Sequence, residues 1–221
     1  MPHEKYLGCG LYDFATAAHL LRVEPHVLMY WLGETRRGES IIVRQLREDR
    51  LLTFAELMEL HFIKMFREQN VSIQAIRKAA KAASKKFESE YPFSVRRFDT
   101  DGRTIFATLR SKETDKEIIE DLQRGQLVFK KIVRPFFKKL DYRGTQDVER
   151  YWPLHKSGRV VLDPARHFGR PIDSQTGVPI DAIIQAVRAD GGQDPQSVAN
   201  WFKIPREAVM AAIRFERALA N

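Results

Sequence analysis

Between Asp13 and Leu21 the apolar positions Phe14, Ala17, Ala18 and Leu21 recur at helical spacing, and Asp13 stands where an N-cap belongs. After the turn "RVE", Pro25 suits a first helical position, so that Val23, Leu28 and Trp31 face inward while His26, Met29 and Tyr30 face out. This predicts a helix, a tight turn and a second helix. Residues 34–50, "ETRRGESIIVRQLREDR", combine a Gly turn, a β-prone "IIV" and five arginines, the make-up of a wing hairpin beside a phosphate backbone. The interleaved Asp and Glu leave a solvated loop open as the other reading. Thr53 and Glu56 then have capping-box spacing. They start a helix whose stripe is Leu57, Leu60, Phe62, Ile63 and Phe66. A second helix follows from Ser72, with Ile73, Ile76 and Ala80 inward and Lys78, Lys81, Lys85 and Lys86 mostly outward on a basic face that reads as solvated, with phosphate contact the less favoured alternative.

The middle changes period. "PFSVRRFDTDGRTIFATLR" alternates on both sides of Asp101-Gly102, which predicts an antiparallel hairpin turning there. The D-x-D-G at 99–102 lacks the later oxygen ligands and closing Glu of a calcium loop, so no metal is expected. "QLVFKKIVRPFFKKLDYRG" reads as a β-prone run broken by Pro135, and residues 91–155 as a small sheet. Beyond it, Pro171, Pro179, Gly169 and Gly177 predict a rigid, turn-dense loop over 163–179. Three helices follow: one carries Ile180, Ile183, Ile184 and Val187 and ends at Gly191-Gly192, one carries Val198, Trp201 and Phe202 on a face to be buried, and one carries Val209, Ala212, Ile213 and Leu219. The fold class expected is α+β, mostly α: a winged helix-turn-helix, a central antiparallel sheet and a three-helix homeodomain-like unit. The expected boundaries are 1–90, 91–155 and 156–221.

A formal net charge of +8 over 221 residues favours an anionic partner, with nucleic acid first. Cys9 is the single cysteine, which removes a disulfide framework and fits a reducing cytoplasm. No apolar run approaches the roughly 18 residues of a membrane span, and no signal pattern opens the chain. The histidines at 3, 19, 26, 61, 155 and 167 have no ligand spacing, and neither phosphate loops nor a nucleophile elbow occur. His167 reads as a packed or capping histidine. Neither catalysis, a cofactor nor a metal is expected.

"YDFATAAHLLRVEPHVLMYWL" resembles the winged helix-turn-helix of the MerR type, and "LTFAELMELHFIKMFREQNVSIQAIRKAA" the helices that follow it there. "VVLDPARHFGRPIDSQTGVPIDAIIQAVRADGGQDPQSVANWFKIPREAVMAAI" is similar to the family catalogued as domain of unknown function 433. Together they resemble the DNA-binding antitoxins of VapBC-type toxin–antitoxin pairs. Where MerR-type proteins commonly read Thr-Leu-Arg-Tyr, this chain has Val27-Leu28-Met29-Tyr30. Only the tyrosine carries over, and the phosphate contact of the missing Arg falls to Arg22, Arg36 and Arg37.

The resemblance implies two tasks, binding operator DNA as a homodimer and neutralising a PIN-like ribonuclease toxin. For the first, Arg22, Arg36, Arg37 and Arg44 are the expected phosphate contacts, with His26, Met29 and Tyr30 on the recognition helix. Arg206, Met210 and Arg214 form a second candidate DNA-binding face. For the second task, Arg159, Arg166 and Arg170 on the stiff loop are the candidates, since a PIN-like site is lined with carboxylates; packing of the third module is the competing role of that loop. A stand-alone DNA-binding regulator is the alternative function. An RNA-binding module is disfavoured because the aromatics follow core periodicity.

Overall fold

The computed structural model describes residues 8–35, 39–144, 147–156, 158–189, 191 and 194–220. Its contacts group Tyr12–Glu149 as one unit and Arg150–Asn221 with Met1–Leu11 as another.

In the first unit, β1 (Tyr12–Asp13) leads into α1 (Phe14–Leu21), capped by Asp13, which accepts the Thr16 amide at 2.7 Å. A short turn leads to α2 (Pro25–Trp31), and β2 (Leu51–Leu52) pairs antiparallel with β1, Tyr12 opposite Leu52. The helix α3 (Phe54–Glu68) begins with the expected capping box: Thr53 Oγ1 accepts the Glu56 amide at 3.3 Å and Glu56 Oε2 accepts the Thr53 amide at 2.6 Å. Its stripe of Leu57, Leu60, Phe62, Ile63 and Phe66 is fully buried. Ser72 caps α4 (Ile73–Phe87). The "IIV" at 41–43 forms no strand; Ile42 is buried as an anchor of an irregular loop, and Ile41 donates its amide to Trp31 O at 2.9 Å.

The hairpin expected at Asp101-Gly102 is not formed. Residues Phe98–Lys112 are a helix, α5, followed by α6 (Lys116–Val128), and the apolar run past it continues as a π-helical stretch (Phe129–Val133), the short α7 (Arg134–Phe136) and a 3₁₀ turn. The reason lies in packing. Phe98, Gly102, Ile105 and Phe106 lie on one helical face, all buried. A Cβ on Gly102 would run into the Phe129 ring, and one on Gly125 of α6 would come within 2.6 Å of Phe106, so each glycine lets the partner helix's phenylalanine approach the backbone. Phe98 is a hub, with ring centroids 5.1 Å from Phe93 and 5.2 Å from Phe129, and Phe62 stands 5.2 Å from Phe136 and 5.1 Å from Phe137. These aromatics knit residues past 90 to α3, so the expected boundary near residue 90 is no break in packing. The region does hold a two-stranded pair, but later, between β3 (Leu140–Arg143) and β4 (Asp147–Tyr151).

One buried acid in this unit titrates far from its usual range. Glu59 is 2 % exposed and accepts the amides of Phe93 (3.0 Å) and Ser94 (2.9 Å). Burial pushes its carboxyl from 4.5 up to about 8, against the pull of those amides. A folded value above the unfolded one means that its stabilising contribution is full below about pH 4.5 and is lost as pH rises through about 8. Thermal melts are therefore expected to shift down between pH 6 and 9, with a slope of at most ~1.4 kcal/mol per pH unit from this group. Glu59→Gln should flatten that part of the profile; an unchanged profile would place the titration elsewhere.

In the second unit β5 (Val160–Val161) pairs antiparallel with β6 (Ile172–Asp173), and isolated bridges join Tyr151 to Leu162 and Ile172 to Pro179. The three expected helices follow: α8 (Ile180–Ala189), α9 (Pro195–Phe202), capped by Asp194, and α10 (Arg206–Ala220). Ile183, Val198, Val209, Ala212 and Phe215 form their shared core. Trp201, expected inward, is instead 74 % exposed. Its neighbours Val198 and Ala199 take the buried face of this short helix.

Candidate nucleic-acid interface

The reversal between α1 and α2 is built from one left-handed residue. Arg22, at φ 55°, closes α1 by donating its amide to His19 O, and the Val23 amide reaches Ala18 O at 3.0 Å. Leu28 and Trp31 are buried beneath α2, which leaves His26 exposed, Tyr30 44 % exposed and Met29 half-buried. Beside them lies a cleft of about 470 Å³, lined by Arg22, His26, Tyr30, Lys64 and Arg67 among others. Lys64 is paired with Glu68 at 3.0 Å and Arg67 donates to Val71 O at 2.7 Å, whereas the Arg22 guanidinium, exposed at the turn, makes no ion pair or hydrogen bond among the described residues.

Arg44 does not belong with these contacts. Its side chain is 3 % exposed, held by Glu34 at 3.2 Å, by Glu56 at 3.9 Å and by the Leu51 carbonyl at 3.2 Å, with its guanidinium 5.3 Å over the Phe14 ring. The residue was expected at a phosphate; the structure uses it to tie the 39–50 loop to α3. Glu56 completes that tie by accepting the Gln45 amide at 2.7 Å, and burial raises its carboxyl against these hydrogen bonds and the nearby Arg44 charge. Arg47 and Arg50 are the exposed cations of the loop, Arg47 3.8 Å from Glu34 and Arg50 5.4 Å over Phe14. Arg36 and Arg37 lie outside the described residues. On α4, Lys78 pairs with Glu113 and Lys86 with Asp101, leaving Lys81 and Lys85 to solvent.

In the second unit the three loop arginines have three fates. Arg159 is bound internally, its Nε 2.7 Å and Nη2 2.9 Å from the two oxygens of Asp173, with Nη1 on Gln175 at 2.8 Å. That corrects its expected role as a free partner contact. Arg166 is exposed and steadied by the Ser174 carbonyl at 3.2 Å; Arg170 is exposed with no side-chain partner among the described residues. Between them His167, Phe168 and Gly169 are consecutively left-handed, at φ 47°, 53° and 79°. For the two non-glycine residues this costs about 1–2 kcal/mol each. It turns Phe168 outward, 61 % exposed, a position that alternation and helical periodicity could not reveal. On α10, Arg206 and Arg214 are exposed and Met210 half-buried. Among the described residues no group of His, Cys, Asp or Glu could hold a metal ion, and no helix is long and apolar enough to cross a membrane.

Residues 12–83, which contain α1 to α3 and most of α4, match the family described as MerR HTH family regulatory protein. This part of the chain is similar to the helix-turn-helix domains of that family. The whole chain is 26 % identical, over 92 % of both sequences, to a Mycobacterium tuberculosis protein named "Putative antitoxin VapB45". The crystal structure of Rv2018 from Mycobacterium tuberculosis superposes with a TM-score of 0.73 at 20 % identity, covering 91 % of this chain and 96 % of that one, a likeness that carries the fold. Within the matched segment, Met29 stands half-buried where the sequence departs from the arginine usual in MerR-type proteins, while Tyr30 is exposed.

Proposed function

We propose that the protein is an autoregulating antitoxin, which binds operator DNA through its MerR-type domain as a homodimer and neutralises a PIN-like ribonuclease. The observation that carries this reading is the MerR-type domain within a chain that resembles a named antitoxin over nearly its full length. On the DNA side, Arg22 at the turn neutralises a phosphate, and His26, Met29 and Tyr30 of α2 lie toward the groove. Arg36 and Arg37 remain the proposed wing contacts, and Arg47 and Arg50 take the place that Arg44 vacates. Arg206, Met210 and Arg214 are proposed as an auxiliary DNA face. On the toxin side, Arg166 and Arg170 are the cations free to meet carboxylates, with Arg159 serving the fold.

The decisive test is growth of cells that express the reading frame adjacent to this gene, with and without this chain. Arrest relieved by this chain, with co-purification of the two proteins, supports the antitoxin. Duplex binding without toxicity or a complex supports the stand-alone regulator. For the DNA contacts, Arg22→Ala is expected to weaken binding to a duplex from upstream of the gene by about tenfold at ~0.1 M salt, and to lower the slope of log affinity against log salt by about one. A wild-type slope would take the turn out of the interface.

A further inference from the structure

We propose that the left-handed turn at residues 167–169 is the anchor of a protein-docking surface, in which Phe168 enters an apolar pocket on the ribonuclease partner and Arg166 and Arg170 meet carboxylates at its rim. The inference rests on the antitoxin reading above and adds the residue that would hold the complex together. Three observations carry it. The backbone is strained at two successive non-glycine residues, and the result is exposure of a large aromatic ring, which burial alone would never select. The turn is fixed from both sides, since Leu11 donates its amide to Phe168 O at 2.9 Å and Gly169 donates its own to Arg166 O at 2.9 Å, so little order remains to be gained on docking.

Charge supplies the third observation. The loop's two aspartates are both buried and neutralised, Asp163 by Arg150 at 3.1 Å and Asp173 by Arg159 at 2.7 Å. What the loop shows to solvent is therefore Arg166, His167 and Arg170 around Phe168, with no free carboxylate from residue 163 to 173. That surface complements an apolar pocket with an acidic rim, and an aromatic flanked by arginines is the composition of an interface hot spot.

The test uses the full chain and the product of the adjacent reading frame, co-expressed and purified. Phe168→Gly keeps the left-handed backbone and removes only the ring; it is expected to leave the melting temperature unchanged or raised and operator-duplex binding intact. Affinity for the partner should fall about thirty-fold. Phe168→Tyr should retain most of the affinity, and Arg166→Glu with Arg170→Glu should weaken the complex and reverse its salt dependence. Wild-type affinity of Phe168→Gly would overturn the proposal while leaving the antitoxin reading in place. So would a lowered melting temperature with a matching loss of the complex, which marks the ring as packing, or a loss confined to duplex binding, which marks the loop as a DNA contact. If the adjacent product forms no complex with the wild-type chain, the antitoxin reading and this surface fall together.

Discussion

Asp173→Ala is expected to destabilise the C-terminal unit by about 3–5 kcal/mol, the range for removing one partner of a buried ion pair. Asp173 is fully buried and accepts four side-chain and backbone hydrogen bonds, two from Arg159 and two from Thr176 (2.8 Å to the amide, 2.7 Å to the hydroxyl). Its loss strands the Arg159 guanidinium, whose residue is itself held at φ 66°, and frees the 173–178 turn that brings β6 back toward Pro179. Urea titration of the single variants and of Arg159→Met with Asp173→Leu should show a double-variant cost smaller than the sum of the single ones, since no unpaired charge remains. The carboxyl also sets a pH limit. Burial pushes its pKa up, but the hydrogen bonds from Arg159 and Thr176 outweigh burial and hold it below 3.8. Its contribution is thus full above about pH 3.8 and disappears as pH falls through the lower folded value.

Arg44→Ala is expected to cost about 2–4 kcal/mol of stability, somewhat below the usual penalty for a broken buried pair because Glu56 keeps its hydrogen bonds from Thr53 and Gln45. The salt slope of duplex binding, in contrast, should stay at the wild-type value, the opposite of what Arg22→Ala does. Thermal melts and salt-dependent binding measured on the same two proteins separate the roles. A slope reduced by one in Arg44→Ala, with an unchanged melt, would return the residue to the phosphate contacts.

The difference between those two arginines shows where the sequence was informative and where it was not. Signals that act within a few residues were legible: the caps at Asp13, Thr53, Ser72 and Asp194 need only a side-chain oxygen and an amide two or three positions on. The outward positions of His26 and Tyr30 followed from helical spacing around Leu28 and Trp31, whereas Met29 between them is half-buried. Arg44 was not legible, because its partners at 34, 51 and 56 meet it only through the folded loop. The stretch around Asp101-Gly102 alternates in sequence yet also places Phe98, Gly102, Ile105 and Phe106 on one helical face; the choice between the two is made by Phe129, more than twenty residues away. Phe168 escaped for a different reason: its exposure comes from two unfavourable dihedral angles, which no pattern of residue types encodes.

Glu56 gives the N-terminal unit a shared fate for two parts that look separate. One of its oxygens closes the first turn of α3 and the other holds the amide of Gln45 in the loop. Fraying of the helix and release of the loop are therefore expected to be coupled through this one carboxylate. Solvent conditions or substitutions that loosen the loop are expected to register at the start of α3 as well.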